Sequence, residues 1–260
     1  MSRPIFIDIS MPVSATVVTD PEPLRPKIHY SDHRDGANQM LPFFPGLTAN
    51  DLPDGEGWAV EEIRLSTHSG SHMDAPWHYH STTDHGRRVA PTIDQAPLDL
   101  FWRPGVKLDF RRFSDGYVVS AADIKAELRR IGHDLQPFDI VLVNTAAAAA
   151  YGSDNYVNSG CGIGRNATLY LCQHGVQVVG TDAWSWDAPF SYTAKRFAAT
   201  KDASIIWEGH KAGREMPYYQ MEKLQHLENL PDRDFTVACF PVKIERGSAG
   251  WVRAVAIIGA

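Results

Sequence analysis

The stretch His68-Ser-Gly-Ser-His-Met-Asp-Ala-Pro-Trp-His78 constrains this chain more than any other. It sets three imidazoles and a carboxylate in the spacing H-x3-H-x-D-x3-H. Neutral imidazole nitrogen and carboxylate oxygen are ligands that Zn²⁺, Mn²⁺ and Fe²⁺ prefer. On extended backbone, residues an even number apart point to one side. His68, His72, Asp74 and His78 are therefore expected to face one cavity, with Ser69, Met73 and Trp77 facing elsewhere. Trp58 to Thr67 alternates as a strand and feeds into the stretch. Gly70 lets the backbone come close to an ion, and Pro76 fixes the path from Asp74 to His78. Both interrupt regular structure, so the four side chains are expected on a strand end and the turn after it, not on a helix.

A histidine and carboxylate set without a cysteine cluster suits an open catalytic centre rather than a closed structural one. A divalent ion acidifies its bound water towards neutral pH and polarises a carbonyl oxygen. Delivering a proton to the leaving group then needs an imidazole near the ion but not bound to it. His78, the last of the series, is the candidate for that role. His80 and His85 keep no clear phase and read as solvated loop residues.

The rest of the chain supplies the frame. Ile5 to Ile9 reads as a strand. From Val13 to about Asp54 the pattern is irregular, with Pro21, Pro23, Pro26, Pro42, Pro45 and Pro53 breaking helices and central strands. Residues 13–54 are expected to form a loop-rich lid or oligomer arm, whose His29-Tyr30 and Phe43-Phe44 are placed to close over a pocket. Ser120-Ala-Ala-Asp123 is a helix N-terminus signature. The helix should run from Ala121 to Ile131, with Ile124, Leu128 and Ile131 on one face, and stop at Gly132. A second helix is expected from Gly164 to about His174, with Gly175 after it. Strands are expected at 106–110, 139–144, 176–180, 221–224, 235–240 and 252–258. Residues 94–100 read as strand or turn, 160–164 as a loop, and 203–207 as short helix or strand. The alanine run 146–150 begins a helix or lines a tight passage. Residues 243–250 form a loop, or a strand end with a turn at Gly247. Asp182 and Asp187 read as hydrogen-bonding loop residues. With no repeats and no low-complexity linker, residues 1–260 are expected to form one α/β domain with a mixed, strand-rich sheet or partial barrel.

Composition excludes several classes of function. The net charge of -6 and pI near 6.0 argue against a nucleic-acid footprint, which would be basic. No apolar run reaches the ~18 residues of a membrane span, and residues 1–10 lack the apolar core of a signal peptide. Cys161, Cys172 and Cys239 are odd in number and widely spaced, as expected of buried free thiols in a reducing, cytoplasmic setting.

Residues 68–78 closely resemble the H-x-G-T-H-x-D-x-P-x-H signature of the cyclase family of metal-dependent hydrolases, which includes bacterial kynurenine formamidases and isatin hydrolases. The resemblance continues through Asp8-Ile-Ser10, Gly175-Val, Gly180-Thr-Asp182, Ser185-Trp-Asp187, Gly209-His210 and Glu222-Lys-Leu224. Ser71 stands where Thr is usual. Short formamidases have no room for the proline-rich segment, so the chain looks nearer the longer, isatin-hydrolase-like members. The early substrate tryptophan of bacterial formamidases has no counterpart, since the first here is Trp58.

The resemblance implies a swivelling β/β/α-like fold, a homodimer or homotetramer with arms crossing between subunits, and a small-molecule substrate. It implies His68, His72 and Asp74 as ligands to Mn²⁺ or Zn²⁺, and His78 as proton donor and acceptor. In two-metal members a late His and Glu complete the site, and His210 and Glu222 have the separation required; Asp74 and Glu222 would then bridge. With one ion, Glu222 or Gln220 becomes a fourth ligand and His210 a supporting or substrate-binding group. Trp77, Phe43 and Trp184 are candidate substrate-binding surfaces, with Trp102, Trp186, Phe44 and Phe190 beside them. The implied reaction is hydrolysis of a C–N bond in a cyclic or aryl amide, isatin- or formamide-like, by metal-activated water with His78 as proton shuttle. The alternatives are a lactone or ester hydrolase using the same site, and a metal-dependent small-molecule binding protein without turnover. No nucleic-acid or membrane partner is expected.

Overall fold

The computed structural model describes residues 3–259. In chain order its strands and α-helices are β1 (Ile5–Asp8), β2 (Lys27–Ser31), α1 (His33–Met40), β3 (Val60–Arg64), β4 (His72–Asp74), α2 (Pro76–Tyr79), β5 (Thr82–Thr83), β6 (Arg88–Val89), β7 (Trp102–Asp109), β8 (Val118–Val119), α3 (Ala121–Ile131), β9 (Ile140–Asn144), β10 (Gly162–Ile163), α4 (Arg165–Gln173), β11 (Val178–Thr181), α5 (Phe190–Thr200), α6 (Glu208–Lys211), β12 (Tyr219–Glu222), β13 (Phe235–Ala238), β14 (Ala249–Trp251) and β15 (Val255–Ile258).

Nine of these strands make one sheet in the order β1-β15-β13-β7-β9-β11-β12-β4-β14. Its centre, β7 to β12, is parallel, and both flanks are antiparallel. Parallel neighbours need crossovers; α3 lies between β7 and β9 in the chain, and α4 between β9 and β11. Buried on both faces, β9 reads as an unbroken apolar run. Its alternation divides the core: Ile140 and Leu142 join Met73, Met221 and Phe235, while Val141 and Val143 join Ile124, Leu128 and Leu171. This is the mixed α/β architecture that the strand pattern predicts.

Local signals set α3 to the residue. The Ser120 side chain accepts from the Asp123 amide, the Asp123 carboxylate accepts from the Ser120 amide, and Gly132 closes the helix at φ 63°. Such a cap is worth about 1 kcal/mol.

The structure departs from the sequence expectations at identifiable points. His78 lies on a helix, not a turn, because Pro76 occupies the first turn of α2, where its missing N–H costs nothing. Residues 13–54 are not wholly irregular. Between Pro26 and Pro42 the chain is free of proline, and there β2 and α1 form; Asp32 and Asp35 cap α1 reciprocally. Strand β2 pairs with β3 from Lys27↔Arg64 to Ser31↔Val60. Of the two alternatives for 94–100, strand or turn, the turn holds, as 3₁₀ turns at Ile93–Gln95 and Leu98–Leu100, whereas 160–164, expected as a loop, contains the short β10. Helix α5 had no sequence warning: its N-cap is Pro189 without a side-chain bond, and Thr193 is its one buried residue. The three cysteines are free and buried. Among the described residues, no helix is long and apolar enough to cross a membrane.

Candidate metal centre

The centre is built on strand register. Strand β4 pairs with β12 as His72↔Glu222, Met73↔Met221 and Asp74↔Gln220. Because side chains alternate, His72, Asp74, Gln220 and Glu222 project from one face. Met73 and Met221 project from the other and are fully buried. A slip of one residue would send the ligand set into the core.

Loops bring the other imidazoles. The turn before β4 passes through Gly70 at φ 65°, where the Val13 side chain already crowds the position a Cβ would take. It sets His68 Nδ1 2.9 Å from Asp74 Oδ1 and His68 Nε2 3.1 Å from Ser248 Oγ. Helix α2 sets His78 Nε2 3.9 Å from Asp74 Oδ2. Asp187 organises α6: its carboxylate accepts from the Gly209 amide (2.8 Å), the His210 amide (3.0 Å) and His210 Nδ1 (2.5 Å). His210 Nε2 is left facing Glu222 Oε1 at 3.4 Å and Asp74 Oδ2 at 3.7 Å. Thus His68, His72, Asp74, His78, His210 and Glu222 meet at one place.

Two buried atoms test whether a cation fits. His72 Nδ1 donates to the Gly70 carbonyl at 2.9 Å, so Nε2 carries the lone pair. It faces Asp74 Oδ1 at 3.2 Å, and both atoms are buried without a hydrogen-bond partner. An imidazole lone pair and a carboxylate oxygen left so are costly; a cation between them removes the cost. Two sets of side chains lie close enough together to hold a cation, His68/Asp74/His78 and His72/Asp74/Glu222; they share Asp74, and the first includes the same His78 that a proton-shuttle role requires unbound. Gln220 sits among these groups: Tyr218 donates to its Oε1 at 3.1 Å, and its Nε2 lies 2.7 Å from Glu222 Oε1, 2.9 Å from His210 Nε2 and 3.3 Å from Asp74 Oδ2.

Electrostatics separates His78 from the rest. Burial opposes ionisation of Asp74, yet the imidazoles of His78, His72, His210 and His68 hold it well below the usual carboxylate range. Burial and the Asp74 charge likewise push Glu222 up, but His210 and His72 outweigh them and lower it. His68 is raised: burial opposes its charge, but the close Asp74 carboxylate outweighs burial. His78 goes the other way. Burial, helped by His68 and His210, brings it down to about 4 against the pull of Asp74. That shift leaves His78 an uncharged imidazole at neutral pH.

A cavity of about 250 Å³ opens on this cluster. Leu24, Trp184, Phe190 and Trp207 form its apolar wall, beside Ser185 and Lys223. Trp207 stacks on His210, with centroids 4.4 Å apart, and meets His78 edge-on at 5.1 Å. Of the three expected substrate surfaces, Trp184 lines this cavity. Trp77 does not: it is half-exposed, and its amide bonds to the Pro91 carbonyl. Nor does Phe43, which is exposed and packs edge-on against Trp58. Trp186 is buried and donates to Thr168. Sequence reasoning missed Leu24, Trp207, Ser248 and Lys223. Of these only Lys223 stood inside a quoted motif, Glu222-Lys-Leu224, and its spacing pointed to no role of its own.

Residues 7–188 match the Cyclase family model, described as "Putative cyclase". The chain belongs to the cyclase family. Among curated relatives, kynurenine formamidase of Salinibacter ruber is 29% identical over 209 residues, covering 80% of this chain and 84% of that protein. Among solved structures, an isatin hydrolase bound to the product analogue thioisatinate aligns with a TM-score of 0.75 at 18% identity, over 98% of this chain and 92% of that one. Isatin hydrolase A from Ralstonia solanacearum aligns with a TM-score of 0.73 at 20% identity, over 98% and 92%. The fold of these two structures extends over nearly the whole chain.

Proposed function

We propose that this cyclase-family chain hydrolyses a C–N bond of a small cyclic or aryl amide, using Mn²⁺ or Zn²⁺ held at His68, His72 and Asp74. The observation that carries the reading is the unpartnered pair His72 Nε2 and Asp74 Oδ1 beside a neutral imidazole, His78. The names of the relatives, kynurenine formamidase and isatin hydrolase, support the substrate class. A bound divalent cation supplies Lewis acidity towards the carbonyl oxygen and acidifies water. Glu222 and His210 provide donors for a second ion, with Asp187 fixing the His210 tautomer as carboxylates do for ligating histidines.

The chain's own residues divide the remaining work. The aromatic wall holds the apolar body of the substrate, and Trp207 packs on His210 and edge-on against His78. His78 Nε2 accepts the proton of the attacking water and returns it to the departing nitrogen as the C–N bond breaks. The products are a carboxylate and an amine. Isatin and formylkynurenine, each offered with Mn²⁺ or Zn²⁺, form the first panel. His78→Ala should retain its metal and lose about 10²- to 10⁴-fold in kcat; unchanged kcat would remove His78 from the reaction.

Residues 13–54 are read as a lid or arm within a homodimer or homotetramer. The ribbon β2–β3 supports this, since every residue of β3 and most of β2 is exposed and an isolated two-stranded ribbon is marginal in water. Sedimentation should report more than one copy; a monomer would overturn the arm.

A further inference from the structure

Lys223 follows Glu222 in the chain at φ 58° and is buried at 1% exposure. Its ammonium has three neighbours from three parts of the chain. It donates to Asp20 Oδ1 and, at 2.7 Å, to the carbonyl of His68, and it lies 5.3 Å from the centroid of the Trp184 ring. Asp20 is equally buried. Its Oδ1 also accepts from Trp184 Nε1 at 2.9 Å, and its Oδ2 from the Thr19 hydroxyl at 3.2 Å. The segment after Asp20 is tied to the same place: Arg25 Nε donates to the Asp20 carbonyl, and the Leu24 carbonyl accepts from Ser69 Oγ, both at 2.9 Å. Leu24, Trp184 and Lys223 all line the cavity.

A buried ion pair adds little net stability compared with apolar packing, but removing one partner leaves an uncompensated charge. Such a pair is informative where it fixes one arrangement of the groups around it. Here those groups are the turn bearing His68, the Trp184 wall and residues 19–25.

We propose that Asp20 and Lys223 are a positioning pair that makes residues 19–25 part of the substrate site, fixing Trp184 and Leu24 against the turn that carries His68. Neither residue touches the reacting atoms. They set where the apolar body of the substrate rests, and so which substrates fit. This rests on the hydrolase reading for its kinetic arm but not for its structural one.

The test uses full-length, metal-loaded protein with the substitutions Asp20→Ala, Asp20→Asn, Lys223→Met and the double change Asp20→Ala/Lys223→Met. Hydrogen exchange, with no substrate present, should show the amides of residues 13–25 exchanging about tenfold faster in Asp20→Ala and Lys223→Met, at unchanged metal content. Asp20→Asn keeps the acceptor and the shape, and should fall between these variants and the parent if Asp20→Ala does not fold. The double change should disturb exchange no more than Asp20→Ala alone, because it removes the stranded charge. On whichever panel substrate is turned over, KM should rise about tenfold with kcat nearly unchanged. Unaltered exchange in both single variants would overturn the proposal, as would loss of metal with a fall in kcat at constant KM, which would make the pair a support of His68 alone. If no panel substrate is hydrolysed, the hydrolase reading fails while the exchange result still decides the pair.

Discussion

The two halves of the cavity are made in different ways. On the metal side, His72, Asp74, Gln220 and Glu222 come from two paired strands, and the buried side chains of Met73 and Met221 lock their register. On the other side, Leu24 sits in a 3₁₀ turn, Trp184 in the loop after β11, Phe190 at the start of α5 and Trp207 at a positive-φ position before α6. Backbone pairing leaves these four side chains almost no freedom. The aromatic side is assembled from three separate stretches, mostly connections, the kind of structure in which substrate preference changes without loss of the scaffold.

Substitutions on the two sides should therefore separate metal binding from substrate binding. Asp74→Ala should have the largest effect, since both ligand groups share Asp74. Metal should be lost on purification, and kcat/KM should fall by about 10³-fold or more; elemental analysis beside kinetics checks both, and retained metal would break the claim that register holds the ion. Ser248→Ala should be intermediate. It removes the partner of His68 Nε2, and metal affinity measured by chelator competition should drop about 10- to 100-fold. Trp207→Leu should be smallest. It removes the stack on His210 and should raise KM about 3- to 10-fold at full metal occupancy. Metal loss in that variant would show that the two sides are one unit.

The division also explains what could be read in the sequence. His68, His72, Asp74 and His78 were legible because four ligand-type residues stand within one short stretch at even spacing. Helix α3 was legible because a capping box and a terminal glycine are local signals. His210 and Glu222 came from resemblance, and only the fold brings them to Asp74. His78 was placed on the wrong element because Pro76 was read as a breaker, whereas at a first turn it begins a helix. Asp20 with Lys223, and His68 with Ser248, could not be found by spacing. These pairs are separated by 203 and 180 residues, and a lysine or serine has no periodicity that announces such a partner. Phe43 and Trp77 were selected as aromatics, but aromatic character alone does not say which surface a ring will join.

The position of β4 in the sheet also sets when the centre can form. Asp74 lies between Gln220 of β12 and Ala249 of β14, both made long after it on the ribosome. Chains emerge from the N-terminus at about 5–20 residues per second, so the histidine turn is complete for several seconds before it has neighbours to lie against. The side chains of β4 therefore take up their places only after β12 and β14 have been made and have paired with it.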